Sequence, residues 1–176
     1  MKKKNGRKSY IMAVILVIAA VLLDQYTKYL AVLYLKDGPA LVLWNRVFEL
    51  TYLENRGAAF GLLQNQQIFF VCIAVVIFAF VAYCYVRIPK TSRYLPLRLC
   101  GIFIVAGAAG NLIDRIRLGY VVDFFYFRLI DFPVFNVADI YVTVSFAVLI
   151  LLIFFFYKEE DLQFLGRKKG AGTDGK

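Results

Sequence analysis

The chain has 176 residues, of which 61% are hydrophobic and 17% aromatic, and it carries a formal net charge of +9. Its mean hydropathy of +0.68 is far above that of an ordinary soluble domain of this length. The sequence contains no histidine, which excludes Ser-His-Asp and Cys-His catalysis and the HExxH zinc site. We therefore expect an integral membrane protein that relies on other chemical groups.

Four long apolar runs follow one another along the chain, each long enough to cross about 30 Å of hydrocarbon at about 1.5 Å per residue. We predict membrane-spanning helices at about 11–35, 68–86, 95–113 and 137–157. A signal peptide is the alternative for the first run, because the basic segment MKKKNGRK precedes a short apolar core. No small-x-small cleavage site follows it, however, and the apolar character resumes with YLAVLYL after DQYTK.

Lysine and arginine are distributed unevenly between the two ends of these spans. Fourteen of them lie in the N-terminal segment, the segment between spans two and three and the C-terminal tail, whereas six lie in the opposite segments. Since short cytoplasmic segments are enriched in positive charge, we predict that both termini are cytoplasmic. Basic flanks that face anionic lipid also account for the net charge, so no nucleic-acid partner is expected.

The two segments on the opposite side contain strand-forming sequence. Within 36–67, ALVLWNRVFELTYLENRGAAFG follows a KDGP turn, and LGYVVDFFYFRLIDFPVFN between spans three and four is rich in Phe, Tyr and Val. We predict a mainly α membrane protein, a four-helix bundle with a small extracytoplasmic β-sheet formed by these two segments. Residues 1–157 are predicted to form one membrane domain, and the polar tail 158–176 is predicted to be disordered.

Ionisable residues inside spans cost about 2.5 to 3.5 kcal/mol each at a helix centre, so each requires a partner or a purpose. Asp24 and Lys28 are spaced i,i+4 in the first span and form either a structural ion pair or part of a functional site. At the end of the third span, Asn111, Asp114 and Arg115 are spaced to share one helical face. Alternatively, Asp114 pairs with a nearby arginine and marks the end of the span at the lipid headgroups.

Three carboxylates lie among phenylalanines and valines in the stretch VVDFFYFRLIDFPVFNVAD. Asn136 and Asp139 can be the N-cap and a first-turn residue of the fourth helix, and Asp131, beside a proline, a solvated turn residue. Asp123 has no such explanation, and enough chain separates it from Asp139 for the two to meet. Two buried carboxylates that share a proton can hydrolyse a peptide without histidine: one takes a proton from water while the other, kept neutral, polarises the scissile carbonyl.

Five motifs occur in the order DQYTK, ENRGAAFG, GNLIDR, VVDFF and FNVAD. On a four-span chain of this length they resemble lipoprotein signal peptidase, also called signal peptidase II, and the resemblance covers about Tyr10 to Tyr157. It implies an aspartic peptidase of the bacterial inner membrane, without cofactor or metal, whose site is near the extracytoplasmic face. The implied substrates are diacylglyceryl-modified prolipoproteins, cut just before the lipidated cysteine. Membrane lipids and globomycin-type cyclic peptide inhibitors are further implied partners.

The family pattern also implies site residues. Its catalytic pair matches Asp123 and Asp139, and it thereby chooses between Asp114 and Asp123, which the residues alone leave open. Its supporting polar residues match Asp24, Asn55, Asn111, Asp114, Arg115 and Asn136. Lys28 is added as the partner of Asp24, and Arg115 is expected to pair either with Asp114 or with a substrate phosphate.

The motif ENRGAAFG suggests contact with an extended peptide. Asn55 can hydrogen-bond a substrate backbone, and small residues let another chain approach closely, at Gly57, Ala58, Ala59 and Gly61. A tight turn in a small sheet is an equally good explanation of the glycines.

A non-enzymatic alternative is a small proton-coupled carrier that uses Asp24, Lys28, Asp114 and Asp139 as a relay. A carrier would tolerate the loss of Asp123, which lies outside the predicted spans, whereas a peptidase would not. Inverted repeats, the usual sign of a carrier, are not evident in the sequence.

Overall fold

Four long helices and a small sheet form the computed structural model, which describes residues 2–57 and 62–165, with side chains from residue 6 onward. The helices are α1 Lys2–Leu35, α2 Gln67–Arg87, α3 Leu95–Leu118, α4 Val137–Leu151 and the short α5 Glu159–Leu162. The strands are β1 Leu41–Trp44, β2 Phe48–Asn55 and β3 Val121–Phe127. This arrangement confirms the predicted fold, a four-helix membrane bundle with a small sheet.

Four segments are long and apolar enough to cross a membrane: Gly6–Leu35, Gln67–Arg87, Ser92–Leu118 and Val137–Phe156. The third continues past the predicted end near residue 113, because polar side chains in its last turns find partners inside the protein. It ends at Gly119, which adopts a left-handed φ of 79° and donates its backbone N–H to the carbonyl of Arg115. The fourth helix closes with a π-helical turn, Leu152–Phe156.

Helix α3 is the centre of the bundle and packs against α1, α2 and α4. In its most apolar 18 residues 39% are buried, against 6% in α2. Small residues allow the close packing: a Cβ at Gly107 would collide with the carbonyl of Ala138, and one at Gly110 would collide with the carboxylate of Asp24. The backbones of α3 and α4 therefore lie unusually close at this level.

The sheet has the antiparallel order β1-β2-β3, so the segment after α1 pairs with the segment after α3. Leu53 pairs with Asp123 and Asn55 with Val121, after an irregularity that begins at Leu50. One face of the sheet covers the end of α1, in a cluster of buried apolar residues: Ala31, Leu35, Val122 and Phe124. This packing fixes β3 next to the ends of the long helices.

After β3 the chain turns back on itself before α4 begins. Phe135 accepts backbone hydrogen bonds from Phe124 and Phe125, and it donates one to Phe125 at 3.0 Å. Asn136 then caps α4 with a capping box in which Asp139 is the reciprocal partner. This short return brings the first turn of α4 alongside β3.

The beginning of the tail differs from the predicted disorder. Residues 159–165 form α5 and a 3-10 turn, and Arg93 Nη2 lies 2.6 Å from Asp161 Oδ2. Hydrogen bonds from the Arg93 guanidinium and from the backbone N–H of Lys158 lower the pKa of Asp161 to about 2. Local ion pairing thus holds this part of the tail, while residues 166–176 lie outside the described part of the chain.

Candidate active site

A cavity of about 510 Å³ lies between the sheet, α3, α4 and the start of α2. Asp123 from β3 and Asp139 from α4, which we call the cavity pair, both line it. The other lining residues include polar groups, Asn55, Asn111, Arg115 and Thr143, and an apolar wall, Phe132, Pro133, Val134, Phe135, Ile140 and Val144. The structure therefore brings the two sequence-predicted catalytic acids to one cavity.

Asp123 is held by two side-chain amides. Asn55 Nδ2 donates to its Oδ2 at 2.9 Å, and Asn136 Nδ2 donates to its Oδ1 at 2.6 Å. Only 1% of Asp123 is exposed. Burial and the nearby charge of Asp139 raise the pKa of Asp123 from 3.8 to about 7, against the opposing effect of the two amides.

Asp139 occupies the third position of α4. Its Oδ2 accepts the backbone N–H of Asn136 at 3.0 Å, and its Oδ1 accepts Asn111 Nδ2 at 2.8 Å. The capping explanation of Asn136 and Asp139 is therefore right, but both residues also belong to the cavity site. In the described part of the chain, neither Asp123 nor Asp139 forms an ion pair with Lys or Arg.

A second acidic cluster, the lysine network, lies behind the cavity and consists of Asp24, Lys28 and Asp114. Lys28 Nζ is 3.0 Å from Asp24 Oδ2 and 2.9 Å from Asp114 Oδ2, with all three side chains almost completely buried. The other oxygen of Asp24 accepts the backbone N–H of Ala138 at 2.9 Å. Lys28 therefore ties α1 to α3, and Asp24 ties α1 to the start of α4.

Asn111 connects the lysine network to the cavity pair. Its Oδ1 accepts from Lys28 Nζ at 2.8 Å and from Asn136 Nδ2 at 3.1 Å. Since two donors face that oxygen, the Asn111 NH₂ group must face Asp139. The orientation of one amide is thus determined by a buried lysine on a different helix.

Asp114 does not mark a headgroup boundary, and that alternative from the sequence is wrong. The residue is 3% exposed, pairs with Lys28, and accepts from Gln25 Nε2 at 2.9 Å and from the backbone N–H of Val122 at 3.2 Å. Nor do the three polar residues of α3 share one environment, because Asn111 and Arg115 line the cavity while Asp114 contacts α1 and β3.

Arg115 does not form an ion pair with Asp114, one of its two expected partners, in the described structure. Its Nη2 donates to the carbonyl of Gly57 at 3.0 Å, and its guanidinium lies 4.2 Å from the ring centroid of Phe70. Its buried Nε has no hydrogen-bond partner among the described residues. Arg115 thus fastens the segment after β2 to α3.

The motif around Asn55 folds as a turn of the chain on itself. Asn55 Oδ1 accepts the N–H of Gly57 at 2.9 Å, while its NH₂ group is used by Asp123. A Cβ at Gly57 would collide with the carbonyl of Leu62, which favours the tight-turn explanation for this glycine. The other small residues of the motif, Ala58, Ala59 and Gly61, lie outside the described residues.

Three contributors were missed from the sequence. Gln25 bridges Asp24, Asp114 and the carbonyl of Gly110, and a glutamine within an apolar span was a usable signal. Phe70 and Thr143 line the cavity, but nothing distinguishes them from other span residues in the sequence. They also line an adjoining cavity of about 210 Å³ between α2, α3 and α4. Asp139 lines both cavities.

Asp131 lies apart from the cavity pair. It is exposed, has a left-handed φ of 49°, and accepts a hydrogen bond from the Tyr126 hydroxyl at 2.6 Å. These features are those of the predicted turn residue.

Among the described residues, no group of three or more His, Cys, Asp or Glu side chains is arranged to hold a metal ion.

Sequence comparison relates most of the chain to one family. The profile of the family described as Signal peptidase (SPase) II matches residues 16–155. A lipoprotein signal peptidase of Caldanaerobacter subterraneus subsp. tengcongensis is 47% identical over 145 residues, 82% of this chain and 97% of the relative. One from Clostridioides difficile is 46% identical over 147 residues, 84% of this chain and 95% of the relative.

Comparison with solved structures finds two bacterial membrane enzymes with a similar fold. A bacterial membrane enzyme solved by the in meso method at 2.3 Å resolution superposes with a TM-score of 0.72 at 27% identity, covering 90% of this chain and 93% of the other. A second, solved at 1.9 Å, gives a TM-score of 0.69 at 28% identity and covers 83% and 94%.

Proposed function

Because the chain belongs to the signal peptidase II family and is an aspartic peptidase, we propose that it removes signal peptides from prolipoproteins, cutting just before a diacylglyceryl-modified cysteine. The observation that carries this proposal is the cavity pair: two carboxylates in one cavity, held by amides and by a backbone N–H, without a cation as direct partner in the described structure. Such a pair suits acid–base hydrolysis.

In the proposed mechanism a water molecule lies between the two carboxylates. Asp139, ionised, takes a proton from that water as it attacks the scissile carbonyl, while neutral Asp123 donates a hydrogen bond to the carbonyl oxygen. Collapse of the tetrahedral intermediate then transfers a proton to the leaving amine. The reaction consumes one water and restores the proton shared by the pair.

Two features support this division of roles. The pKa of Asp123, raised to about 7 by burial and by Asp139, favours a retained proton on that residue near neutral pH. Asp139 lies in the first turn of α4, where the positive end of the helix favours a negative charge. The two acids therefore differ in environment in the direction that an acid and a base require.

The shape of the site supports a substrate that is partly embedded in lipid. The main cavity is bounded by the sheet, and the adjoining cavity runs between the membrane segments α2, α3 and α4 with Ile73, Ala74 and Ile77 in its wall. Asp139 lies where the two cavities meet. In our proposal the peptide crosses the cavity pair while the acyl chains remain among the helices.

We further propose that both termini are cytoplasmic and that the cavity faces the extracytoplasmic side of the bacterial inner membrane. Lys and Arg are in excess in the N-terminal segment, the segment between spans two and three and the C-terminal tail, and this excess supports the orientation. The carrier alternative is set aside, because membership of a peptidase family contradicts a non-enzymatic protein.

The test is cleavage of a purified diacylglyceryl-modified prolipoprotein in detergent by the parent protein, Asp123→Asn and Asp139→Asn. We expect cleavage by the parent and a loss of turnover of about 10³-fold or more in each variant, because either change removes the shared-proton pair. Thermal unfolding should show that both variants remain folded.

Full activity in either folded variant would reject the mechanism, and a folded parent that cleaves nothing would reject the function. The same prolipoprotein without its diacylglyceryl group serves as the matched substrate control. Cleavage of both substrates at equal rates would contradict the proposed recognition of lipid.

A further inference from the structure

A separate apolar groove of about 450 Å³ lies between α1, α2 and α3, at the end of the bundle away from the sheet. Every residue that lines it is Ala, Gly, Val, Ile, Phe or Tyr, and Tyr10 and Tyr85 contribute aromatic rings. Val14, in its wall, is 58% exposed and faces outward from the bundle. The groove shares no lining residue with the cavity that holds Asp123 and Asp139.

A lysine stands at the tyrosine end of this groove. Lys90 Nζ lies 4.8 Å from the ring centroid of Tyr10 and 4.2 Å from that of Tyr85, both of which are lining residues. Burial and the neighbouring positive charge of Arg98 lower the pKa of Lys90. Lys90 is thus held against two aromatic rings, with a second cation, Arg98, close by.

The second cation is more deeply buried than the first. Arg98 is 8% exposed, its Nη1 donates to Ser9 Oγ at 3.0 Å and its Nη2 donates to the carbonyl of Thr91 at 3.2 Å. Its buried Nε has no partner within the described part of the chain. Nor does any described carboxylate form an ion pair with Lys90 or Arg98. Buried cations normally have an anionic partner.

We propose that this groove binds one anionic phospholipid, with its phosphate between Lys90 and Arg98 and its acyl chains along the wall that contains Val14. The two cations supply the charge complement to the phosphate. The continuous apolar wall matches acyl chains and is open towards the lipid side of the bundle. The assignment is independent of the peptidase function, since no residue of the cavity site takes part.

The charge component is tested by native mass spectrometry of the full chain in detergent, titrated with palmitoyl-oleoyl phosphatidylglycerol or the matching phosphatidylcholine. The parent should bind phosphatidylglycerol about fivefold or more tightly than phosphatidylcholine, and Lys90→Gln should reduce that preference by about fivefold. The matched control is Lys8→Gln, which removes an equal charge at an exposed position at the same end of the bundle. Its preference should equal that of the parent.

Three results would overturn the charge component: no preference in the parent, an unchanged preference in Lys90→Gln, or an equal loss in Lys8→Gln. Arg98→Gln should also reduce the preference if it folds; because Arg98 is buried, Lys90→Gln decides the question alone. Inorganic phosphate should not displace the lipid at millimolar concentration. Displacement would indicate an ion site without a role for the groove.

The acyl component is tested by filling the groove. Val14→Trp should weaken binding of both lipids by about tenfold, because an indole occupies space along the proposed acyl path. Ile15→Trp is the matched control, since Ile15 is 52% exposed on the same helix but does not line the groove. Equal lipid binding by the two tryptophan variants would exclude the groove as the acyl site.

Discussion

Two clusters of buried acids lie side by side in this protein, and they differ in what neutralises them. In the lysine network, Asp24 and Asp114 share the ammonium of Lys28 and further hydrogen bonds from Gln25. In the cavity pair, the carboxylates receive hydrogen bonds from neutral amides and a backbone N–H. Burial does not separate the clusters, because Asp24 is 0% exposed and Asp123 1% exposed.

The difference supports our proposal that the lysine network has a structural role and the cavity pair a catalytic one. An ammonium that lies between two buried carboxylates gives each of them a charge partner, so the lysine network is a paired cluster inside the protein. Neutral amides orient carboxylates without neutralising their mutual repulsion, so a pair held in this way retains a proton. A retained proton near neutral pH is what acid–base hydrolysis requires.

Removing the shared cation should produce the largest effect on stability. Lys28→Met leaves Asp24 and Asp114 buried without an ammonium, and we expect the free energy of unfolding to fall by about 3–5 kcal/mol. Thermal or denaturant unfolding in detergent measures the change. Lys36→Met is the control, since Lys36 is half-exposed and lies 3.7 Å from Glu54; it should cost less than about 1 kcal/mol. Similar losses of unfolding free energy in both variants would show that the buried ammonium of Lys28 matters no more than an exposed one.

A substitution that crowds the lysine network without altering its charge should lower the free energy of unfolding by a smaller amount. Gly110→Ala places a methyl group against the carboxylate of Asp24 and close to Ala138, so α1 and α3 must separate slightly. We expect a loss of about 1–3 kcal/mol in unfolding free energy. Gly6→Ala, at a glycine of α1 whose Cβ would meet nothing within 4 Å, should be neutral or slightly stabilising. If Gly110→Ala has the same free energy of unfolding as the parent, the tight packing at this glycine is not required for stability.

Features that depend on composition and local pattern could be predicted from the sequence. Apolar length predicted the four helices, and Phe, Tyr and Val content predicted the sheet that carries Asp123. The absence of histidine and the family motifs pointed to Asp123 and Asp139, which the fold brings to one cavity. The end of α3 was predicted too early, although Gly119 after two arginines was an available C-cap signal.

Partners that come from distant parts of the chain could not be predicted. The environment of Asp114 depends on Lys28 and Gln25 in α1, so reading its neighbours in α3 gave a headgroup position instead of a buried ion pair. Likewise, Arg115 reaches the carbonyl of Gly57, a contact made possible only by the packing of the sheet segment on α3. Sequence spacing gives the helical position of a residue but does not identify what that side chain contacts.

In the mechanism that we propose, Asp123 acts in its neutral form, and this predicts a pH dependence of both catalysis and stability. A carboxyl with a pKa of about 7 is neutral below that pH and ionised above it, so kcat/KM should fall about tenfold per unit above about pH 7 as Asp123 loses its proton. The sign for stability follows from the same shift. The folded state binds this proton more tightly than the unfolded state, so the free energy of unfolding should decrease from about pH 4 to about pH 7.

Initial rates and unfolding curves of the parent, measured over this range in one detergent, test both statements. Asp123→Asn should remove the contribution of this carboxyl to the stability change. A kcat/KM that stays constant up to about pH 9 would show that the neutral form of Asp123 is not needed.

The smallest effect is expected at Asp131, the remaining acid of the stretch VVDFFYFRLIDFPVFNVAD. Asp131→Asn makes the chemical change of Asp123→Asn, but at an exposed turn where Asn also tolerates the left-handed φ of 49° and can still accept from the Tyr126 hydroxyl. We expect turnover within about twofold of the parent and a stability change below about 0.5 kcal/mol. Because Phe132 and Pro133, the next residues, form part of the cavity wall, a large loss of turnover in a folded Asp131→Asn would mean that charge or turn geometry beside that wall controls catalysis. Parent-like turnover would show that the charge of Asp131 is not needed, and would leave Asp123 and Asp139, buried acids without an ion-pair partner among the described residues, as the acids of this stretch on which catalysis depends.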